Sequence, residues 1–192
     1  MKSIFTSAAF VFIASLAQAQ LNFKDASSTS GYQAEEVREV FSNQNGDLFF
    51  AGTYEGSLSF GTHTVQSLGG KDIFIMKKNA LGQVAWLKSI GTPENDESPV
   101  LIEAQNGELV LGGSFRGNLD LEGTLYQSAG GTDGFVARYN TDGMLMTSWT
   151  LGGVGADKVK ALARSNNSTE ILVAGEFSGL ATFGPAGSGT NT

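Results

Sequence analysis

The stretch that decides the fold is Asn45-Gly46-Asp47-Leu48-Phe49-Phe50-Ala51-Gly52, because it returns twice later in the chain. Sixty-one positions on stands Asn106-Gly107-Glu108-Leu109-Val110-Leu111-Gly112-Gly113. A third copy, with one residue inserted, reads Ser168-Thr169-Glu170-Ile171-Leu172-Val173-Ala174-Gly175. The same shift relates Gly70–Ile75 to Gly131–Val136. Repetition at a fixed period predicts structural units that stack on their neighbours.

The second strand of each copy is apolar without alternation. Leu48–Ala51, Leu109–Leu111 and Ile171–Ala174 are continuous apolar runs. A strand with one wet face alternates apolar and polar residues, so these strands are predicted to be covered on both faces. The 26 glycines and 3 prolines indicate short strands joined by tight turns, and no helical pattern interrupts them. The sequence predicts an all-β fold of β-propeller blades, each with about four antiparallel strands.

Each copy is divided by its turns. The predicted strands of the first copy are Val37–Ser42, Asp47–Tyr54, Asp72–Asn79 and Gln83–Ile90, with a short ribbon near Ser57–Ser67. Asn45-Gly46 and Asn106-Gly107 predict two-residue hairpin turns, because Asn and Gly tolerate positive φ. Trp86 and Trp149 lie two residues apart once the copies are aligned. Both indoles are therefore predicted to pack on the same face of their blades.

The repeat also predicts the domain organisation. Residues 20–31 form an N-terminal strand and linker, 32–92 and 93–153 are complete copies, 154–184 is a partial copy, and 185–192 is a flexible low-complexity tail. About two and a half blades cannot close a ring, because propellers need roughly four to eight. Either the chain is a fragment of a longer protein or several copies assemble. We favour the fragment, because an open half-blade would expose Ile171, Val173, Phe177 and Phe183.

The N-terminus has the features of a secretory signal. Lys2 precedes an apolar core, Ile4–Leu16, and Ala17-Gln18-Ala19 is a small-x-small cleavage site, so residues 1–19 are predicted to be removed. The core is shorter than the roughly 20 residues that span a membrane, and insertion is not expected. We therefore expect a secreted, periplasmic or cell-surface protein. Leu21–Lys24 is predicted to be the outermost strand of a missing blade, without a partner in this chain.

The composition excludes several function classes. The mature chain keeps 11 Lys and Arg against 19 Asp and Glu, a net charge of −8, with the basic residues scattered. Nucleic-acid binding needs a basic surface and is not expected. The absence of cysteine excludes disulfides, thiolate nucleophiles and cysteine zinc sites.

Two copies resemble a known repeat. The matching residues are Gly70, Asp72, Phe74, Lys77, Asn79, Gly82, Trp86 and Gly91 in one copy, and Gly131, Asp133, Phe135, Arg138, Tyr139, Asn140, Gly143, Gly152 and Gly153 in the next. They resemble the seven-bladed β-propeller repeat (SBBP-type) of exported bacterial proteins. The resemblance covers nearly all of residues 32–184 and departs at the second tryptophan, since Thr147 stands opposite Trp86. It implies a scaffold rather than a reaction.

Few residues suggest chemistry. His63 is the only histidine and is predicted to occupy an exposed loop position without a catalytic role. Acidic residues recur before the first strand of each copy (Glu35, Asp96, Asp157) and at the start of the third (Asp72, Asp133). They are predicted to close turns by accepting backbone hydrogen bonds. The alternative is a ring of carboxylates at one end of the propeller that binds Ca²⁺ or basic ligands.

The remaining motifs also favour turns. Asn140-Thr141-Asp142-Gly143 is a faint echo of a Ca²⁺ loop, and the acceptor triplets at Asn166 and Asn167 fit a hairpin. Nothing singles out a carboxylate pair for glycoside hydrolysis. The sequence predicts no catalytic, cofactor or metal residue, no cofactor, and a non-catalytic exported scaffold that binds protein or glycan through its loops. The alternative is a carbohydrate-active hydrolase or lyase whose catalytic blades are missing from this fragment.

Overall fold

A computed structural model describes strands at 10–17 and 20–28, and residues 35–104, 107–166 and 169–184. Its regular elements are all strands: β1 (Phe10–Ala17), β2 (Gln20–Ser28), β3 (Glu36–Ser42), β4 (Leu48–Phe60), β5 (His63–Lys78), β6 (Val84–Ile90), β7 (Glu97–Glu103), β8 (Leu109–Phe115), β9 (Asn118–Leu121), β10 (Thr124–Gln127), β11 (Asp133–Tyr139), β12 (Leu145–Gly153), β13 (Lys158–Arg164), β14 (Ile171–Glu176) and β15 (Ala181–Phe183).

The strands form successive antiparallel blades. Blade 1 has the order β3-β4-β5-β6. Blade 2 has β7, β8, β11 and β12 in the same arrangement, and the β9–β10 hairpin is its ribbon. Blade 3 is the hairpin β13–β14. The first strands begin at Glu36, Glu97 and Lys158, two steps of 61 residues. The predicted all-β fold of partial propeller blades is confirmed.

The second strand is buried on both faces in the complete blades. Every residue of β8 is buried. Leu109 and Leu111 pack in the core between blades 1 and 2, with Phe49 and Ile73. Val110, between them in sequence, packs in the core between blades 2 and 3. Alternate side chains therefore enter two different cores, which explains the absence of polar residues in this strand.

In blade 3 the equivalent second strand, β14, is covered on only one face. Ile171, Val173, Phe177 and Phe183 pack against the core shared with blade 2 and are partly buried. The expectation that these four residues would be exposed is wrong, because their side chains face blade 2. Leu172 lies on the opposite face and is 63% exposed.

The ribbons of the second and third copies pack on the blade before them. Leu119 and Leu121 of β9 enter the core between blades 1 and 2. In the third copy the equivalent strand, β15, pairs with β12, where Leu151 faces Phe183. Blade 1 departs from the predicted pattern, because its ribbon is continuous with β4 and β5 in one long hairpin. Glu55 and Lys71 pair across that hairpin.

The predicted two-residue turns are wrong. Asn43 N–H donates to the Asp47 carbonyl and Gly46 N–H donates to the Asn43 carbonyl, which encloses a three-residue loop. The Asn43 side chain accepts N–H bonds from Asn45 and Asp47, and only Gly46 has positive φ, at 78°. Gly107 has φ of 83°, whereas Asn106 lies outside the described residues. Asn79 and Asn140 build equivalent turns closed by Gly82 and Gly143.

The N-terminal strand has a partner. β2 contains Leu21–Lys24, the predicted outermost strand of a missing blade, and pairs antiparallel with β1. The expectation that this strand would be unpaired in this chain is therefore wrong. The predicted cleavage point after Ala19 falls between the two strands, outside the described residues. Within the described part of the chain, no helix is long and apolar enough to cross a membrane.

A pair of equivalent substitutions measures how each blade is covered. Val110 in blade 2 and Leu172 in blade 3 occupy the same repeat position, but Val110 is fully buried and Leu172 is largely exposed. Val110→Ala should lower the free energy of unfolding by roughly 2 kcal/mol, because buried methyl groups are lost and a cavity remains. Leu172→Ala should change it by less than about 0.5 kcal/mol. Urea denaturation checks both, and equal losses would contradict the one-sided cover of β14.

Candidate functional site: the axial cleft and the blade junctions

The first strands of the blades converge on a cleft. β3 lies against β7, and β7 lies against β13. Their free edges line a cavity of about 480 Å³. We call it the axial cleft, and its lining residues are Glu36, Val37, Arg38, Glu39, Ser98, Pro99, Val100 and Lys160.

A β-bulge distorts each first strand at the same repeat position. The pairing register shifts between Val37 and Glu39, between Glu97 and Val100, and between Val159 and Ala161. A bulge bends its strand and re-aims one side chain. The bulged positions hold Arg38, Pro99 and Lys160, which are 61 residues apart and all line the cleft. Next to Pro99, Ser98 adopts a left-handed φ of 58°, which is uncommon outside glycine.

The cleft carries charges of both signs. Arg38 Nε lies 3.3 Å from Glu36 Oε2, and Lys160 Nζ lies 3.7 Å from Glu176 Oε2. These side chains are largely exposed, so the pairs are weak and open to exchange with a ligand. Bulges, lysines and prolines also block unwanted pairing of free strand edges. The bulged positions therefore protect the edges and present polar groups to the cleft.

The recurring acids before the first strands close the loops between blades. The Asp96 carboxylate accepts Thr92 N–H at 2.6 Å and the Arg116 N–H, while its own N–H donates to Lys71 O. Asp157 repeats this arrangement. Its carboxylate accepts Gly153 N–H at 2.8 Å and Ser178 N–H at 2.7 Å. These contacts agree with the predicted turn closure.

The acids at the start of the third strands lie beside them. Asp72 Oδ2 accepts Leu68 N–H at 3.2 Å and Ser89 O–H at 3.1 Å. Asp133 Oδ2 accepts Ala129 N–H at 3.1 Å. Oδ1 of both residues is buried and has no partner among the described residues.

The alternative of a ligand-facing ring of carboxylates does not fit these positions. Asp72, Asp96, Asp133 and Asp157 are at most 4% exposed, so they are closed to a ligand in solvent. Within the described ranges, no three His, Cys, Asp or Glu side chains are grouped closely enough to hold a metal ion.

Burial changes the acidity of these groups. It raises the pKa of Asp96 to about 7, and the nearby charge of Asp72 adds to the rise. Burial also raises the pKa of Asp72 and of Asp133, with the Asp157 charge adding to the rise at Asp133. Glu35, the equivalent of Asp96 in the first copy, has a buried Oε2 without a partner in the described residues, and burial raises its pKa. Desolvation disfavours the charged form in each case.

His63 is placed differently from the prediction. It opens β5, pairs with Phe60, and is partly buried, so the predicted exposed loop position is wrong. The reason is that the ribbon is a tight hairpin whose second strand begins here, and the equivalent Thr124 likewise opens β10 opposite Leu121. His63 lines a cavity of about 370 Å³ with Lys78 and Gln83. No carboxylate lines this cavity, so the described residues do not assemble an acid–histidine pair there.

The tryptophans lie in the blade cores, as predicted. Trp86 packs against the core between blades 1 and 2, and Trp149 packs against the core between blades 2 and 3. Trp86 Nε1 donates to Thr141 O at 3.2 Å, which ties it to the turn that ends at Gly143. Asn140–Gly143 is a tight turn, in agreement with the prediction. Asn166 lies in the β13–β14 connection, and Asn167 lies outside the described residues.

The sequence interpretation missed the bulges. Their signal is visible once the copies are aligned, because Arg38, Pro99 and Lys160 share one position and are all typical of protected strand edges. Each residue alone is unremarkable on a strand exposed to water. Only the repeat shows that the position is shared.

Comparisons with known proteins agree with the fold. The family model described as "Domain of unknown function (DUF5122) beta-propeller" matches residues 123–147, which cover β10, β11 and the start of β12. The comparison with curated proteins gave no match. The blades and this match together define a β-propeller-type repeat protein. The matching model is not that of the seven-bladed repeat.

Removal of a loop-closing acid should destabilise the stack. Asp157→Ala removes two part-buried hydrogen bonds from the N–H groups of Gly153 and Ser178 to a carboxylate, at about 1–2 kcal/mol for each bond. We expect the free energy of unfolding to fall by roughly 2–4 kcal/mol, measured by urea denaturation. Asp142→Ala, in an exposed turn, is the matched control and should stay within about 0.5 kcal/mol. A neutral result for Asp157→Ala would show that the carboxylate does not hold this loop.

Proposed function

We propose that the chain is part of an exported, non-catalytic propeller scaffold of the SBBP-type repeat that binds a protein ligand in the axial cleft. The observation that carries the proposal is the bulge repeated in all three copies, which aims equivalent side chains at one cavity. Binding residues are commonly held by a rigid frame of this kind. The stacked blades supply that frame.

The side chains of the cleft favour a peptide over a sugar. Glycans are commonly held by stacking on exposed aromatic rings. Among the described residues, the large apolar side chains exposed to solvent are all aliphatic or methionine. The cleft instead offers Arg38, Lys160 and Glu36, which suit a segment carrying both charges.

Few side chains in the cleft could act as an acid, a base or a nucleophile. Burial raises the pKa of Glu39, and the Arg38 charge opposes the rise. Ser98 is the hydroxyl in the lining, and His63 belongs to a different cavity. The described lining of the cleft contains no histidine, the usual base that activates a serine nucleophile. This supports a binding role over the alternative of a carbohydrate-active hydrolase or lyase.

The binding proposal predicts a charge-dependent interaction. The full chain is screened against a phage library of random 12-residue peptides and against a glycan array, with release of reducing sugar measured in parallel. We expect enrichment of peptides that carry both charges. Their affinity should fall about 10-fold or more in the variant Arg38→Glu/Lys160→Glu, because both cleft cations are reversed.

Lys88→Glu is the matched control for that experiment. Lys88 lies on the outermost strand β6 and pairs with Glu122 at 2.6 Å, away from the first strands. Peptide affinity should be unchanged in this variant. Glycan binding without peptide binding would overturn the proposed ligand class, and release of reducing sugar would favour the enzyme.

Export is tested separately. In a secreting bacterial host, the secreted protein should begin at Gln20, because cleavage is predicted after Ala19. Intact-mass spectrometry measures this directly. Ala19→Arg should block cleavage and leave residues 1–19 attached, whereas Gln20→Ser should be processed normally. Retention of the wild-type chain in the cytoplasm would contradict the export proposal.

A further inference from the structure

Two buried carboxyl groups are brought together at each blade junction. The Asp96 N–H donates to Lys71 O at 2.7 Å. Lys71 directly precedes Asp72 in the chain, so this bond brings the two acids close together. One repeat later, Asp157 N–H donates to Thr132 O at 2.5 Å, beside Asp133. Both pairs are therefore built by the same backbone contact. We call them the junction pairs.

One carboxyl oxygen in each junction pair lacks a donor. Both oxygens of Asp96 contact Thr92, and each oxygen of Asp157 accepts a backbone N–H. In contrast, Oδ1 of Asp72 and Oδ1 of Asp133 are buried without a partner among the described residues. Buried acceptors without a donor are costly.

The carboxyl groups that carry the orphan oxygens lie against Gly91 and Gly152. A methyl group built on Gly91 would lie 2.5 Å from Asp72 Oδ1. A methyl group built on Gly152 would lie 2.8 Å from Asp133 Oδ1. Gly91 begins the loop that ends at Asp96, and Gly152 lies at the end of β12, just before the loop that ends at Asp157. Each of these carboxyl groups is therefore packed where the chain leads into the loop that carries the other acid.

We propose that each junction pair binds one proton, carried on the orphan oxygen of Asp72 or Asp133, and that this proton holds consecutive blades together. A protonated carboxyl has an O–H to donate, which an ionised one lacks. Two carboxylates at close range cannot both stay ionised in a dry site, so a shared proton relieves their repulsion. The stack is then stabilised by acid and loosened by base.

The groups around the junction pairs favour a proton over a salt partner. Around Asp72 and Asp96, Tyr54 donates to Ser89 and Ser89 donates to Asp72. Lys71, Glu94 and Arg116 flank that pair, but none forms an ion pair with it in the described residues. At the second junction the equivalents of these three are Thr132, Gly155 and Ser178, which are uncharged. Lys158, the nearest cation in sequence, pairs with Glu97.

The sign of the pH effect follows from the direction of the shift. The two acids of a junction pair interact, so they titrate as one coupled unit rather than as independent groups. Burial raises the pKa of Asp72, and burial together with the Asp72 charge raises the pKa of Asp96 to about 7. A raised pKa contributes stability that is fully present below the unfolded value and is lost as the pH rises through about 7. The ratio of folded to unfolded protein should therefore fall by about 10-fold or more between about pH 5.5 and pH 8.5.

Asparagine variants of the full chain test this inference. Urea denaturation is measured from pH 5.5 to 8.5 for the wild type, for Asp72→Asn/Asp133→Asn, and for the exposed control Asp142→Asn. Asparagine mimics the neutral acid and removes the Asp72 and Asp133 charges, so the double variant should lose clearly less stability toward alkaline pH than the wild type. The wild type and the control should both lose stability toward alkaline pH. A flat wild-type profile, or a double variant that keeps the full loss, would overturn the proposal.

Two further measurements cover the remaining outcomes. If the double variant does not fold, infrared spectroscopy of the wild type decides, because a buried protonated carboxyl gives a C=O band distinct from the carboxylate. That band should be present at pH 5.5 and lost at pH 8.5, and its absence at pH 5.5 sinks the proposal. Calcium chloride is then added to the wild type. If calcium stabilises the wild type but not the Asp72→Asn/Asp133→Asn variant, the junction pairs bind a cation rather than a proton, and the proposal is overturned.

Discussion

A strand that is apolar on both faces must bury both of them away from water, and this constraint organises the stacked blades. Val110 enters one core while its neighbours Leu109 and Leu111 enter another, so a single strand joins two blade interfaces. Blade 2 therefore covers blade 1 on one face and blade 3 on the other, while the remaining face of blade 1 packs against its own ribbon. A stack of sheets is the arrangement that meets this requirement.

The spacing between sheets depends on glycine. A methyl group built on Gly113 would lie 2.6 Å from Ile73 Cδ1 of blade 1, and one on Gly112 would lie 2.7 Å from Val159 Cγ1 of blade 3. The two glycines of β8 thus let side chains of both neighbouring blades approach its backbone. Close approach leaves little room for water at the crossings between blades, which is why the acids there are buried. The electrostatics of the junctions therefore follow from the packing of the sheets.

The sequence predicted the features that follow from packing of apolar strands and missed features that follow from local hydrogen bonding or from strands outside the repeat. The two-sided apolar run of β8 has only one physical solution, so the stacked sheets were predictable, and so were the positions of Trp86 and Trp149. The turn type was not, because Asn43 rather than Asn45-Gly46 organises the loop through its side chain. The half-buried position of His63 was missed because the ribbon hairpin begins its second strand at this residue, opposite Phe60. β1 and β2 lie outside the repeated copies, so the repeat could not predict that they pair.

Two sets of positions recur in the copies: the acids at the blade junctions and the bulged residues of the first strands. They differ in what stays the same from copy to copy, and this difference separates positions that hold the architecture from positions suited to recognition. At the junctions both shape and chemistry repeat: Asp96 and Asp157 close the same loop with the same hydrogen bonds. At the bulges only the shape repeats, while the side chain changes from Arg38 to Pro99 to Lys160. A position needed for packing should keep its chemistry in every blade. A surface that contacts an asymmetric ligand needs a fixed frame with side chains that differ around it, and the axial cleft has that character.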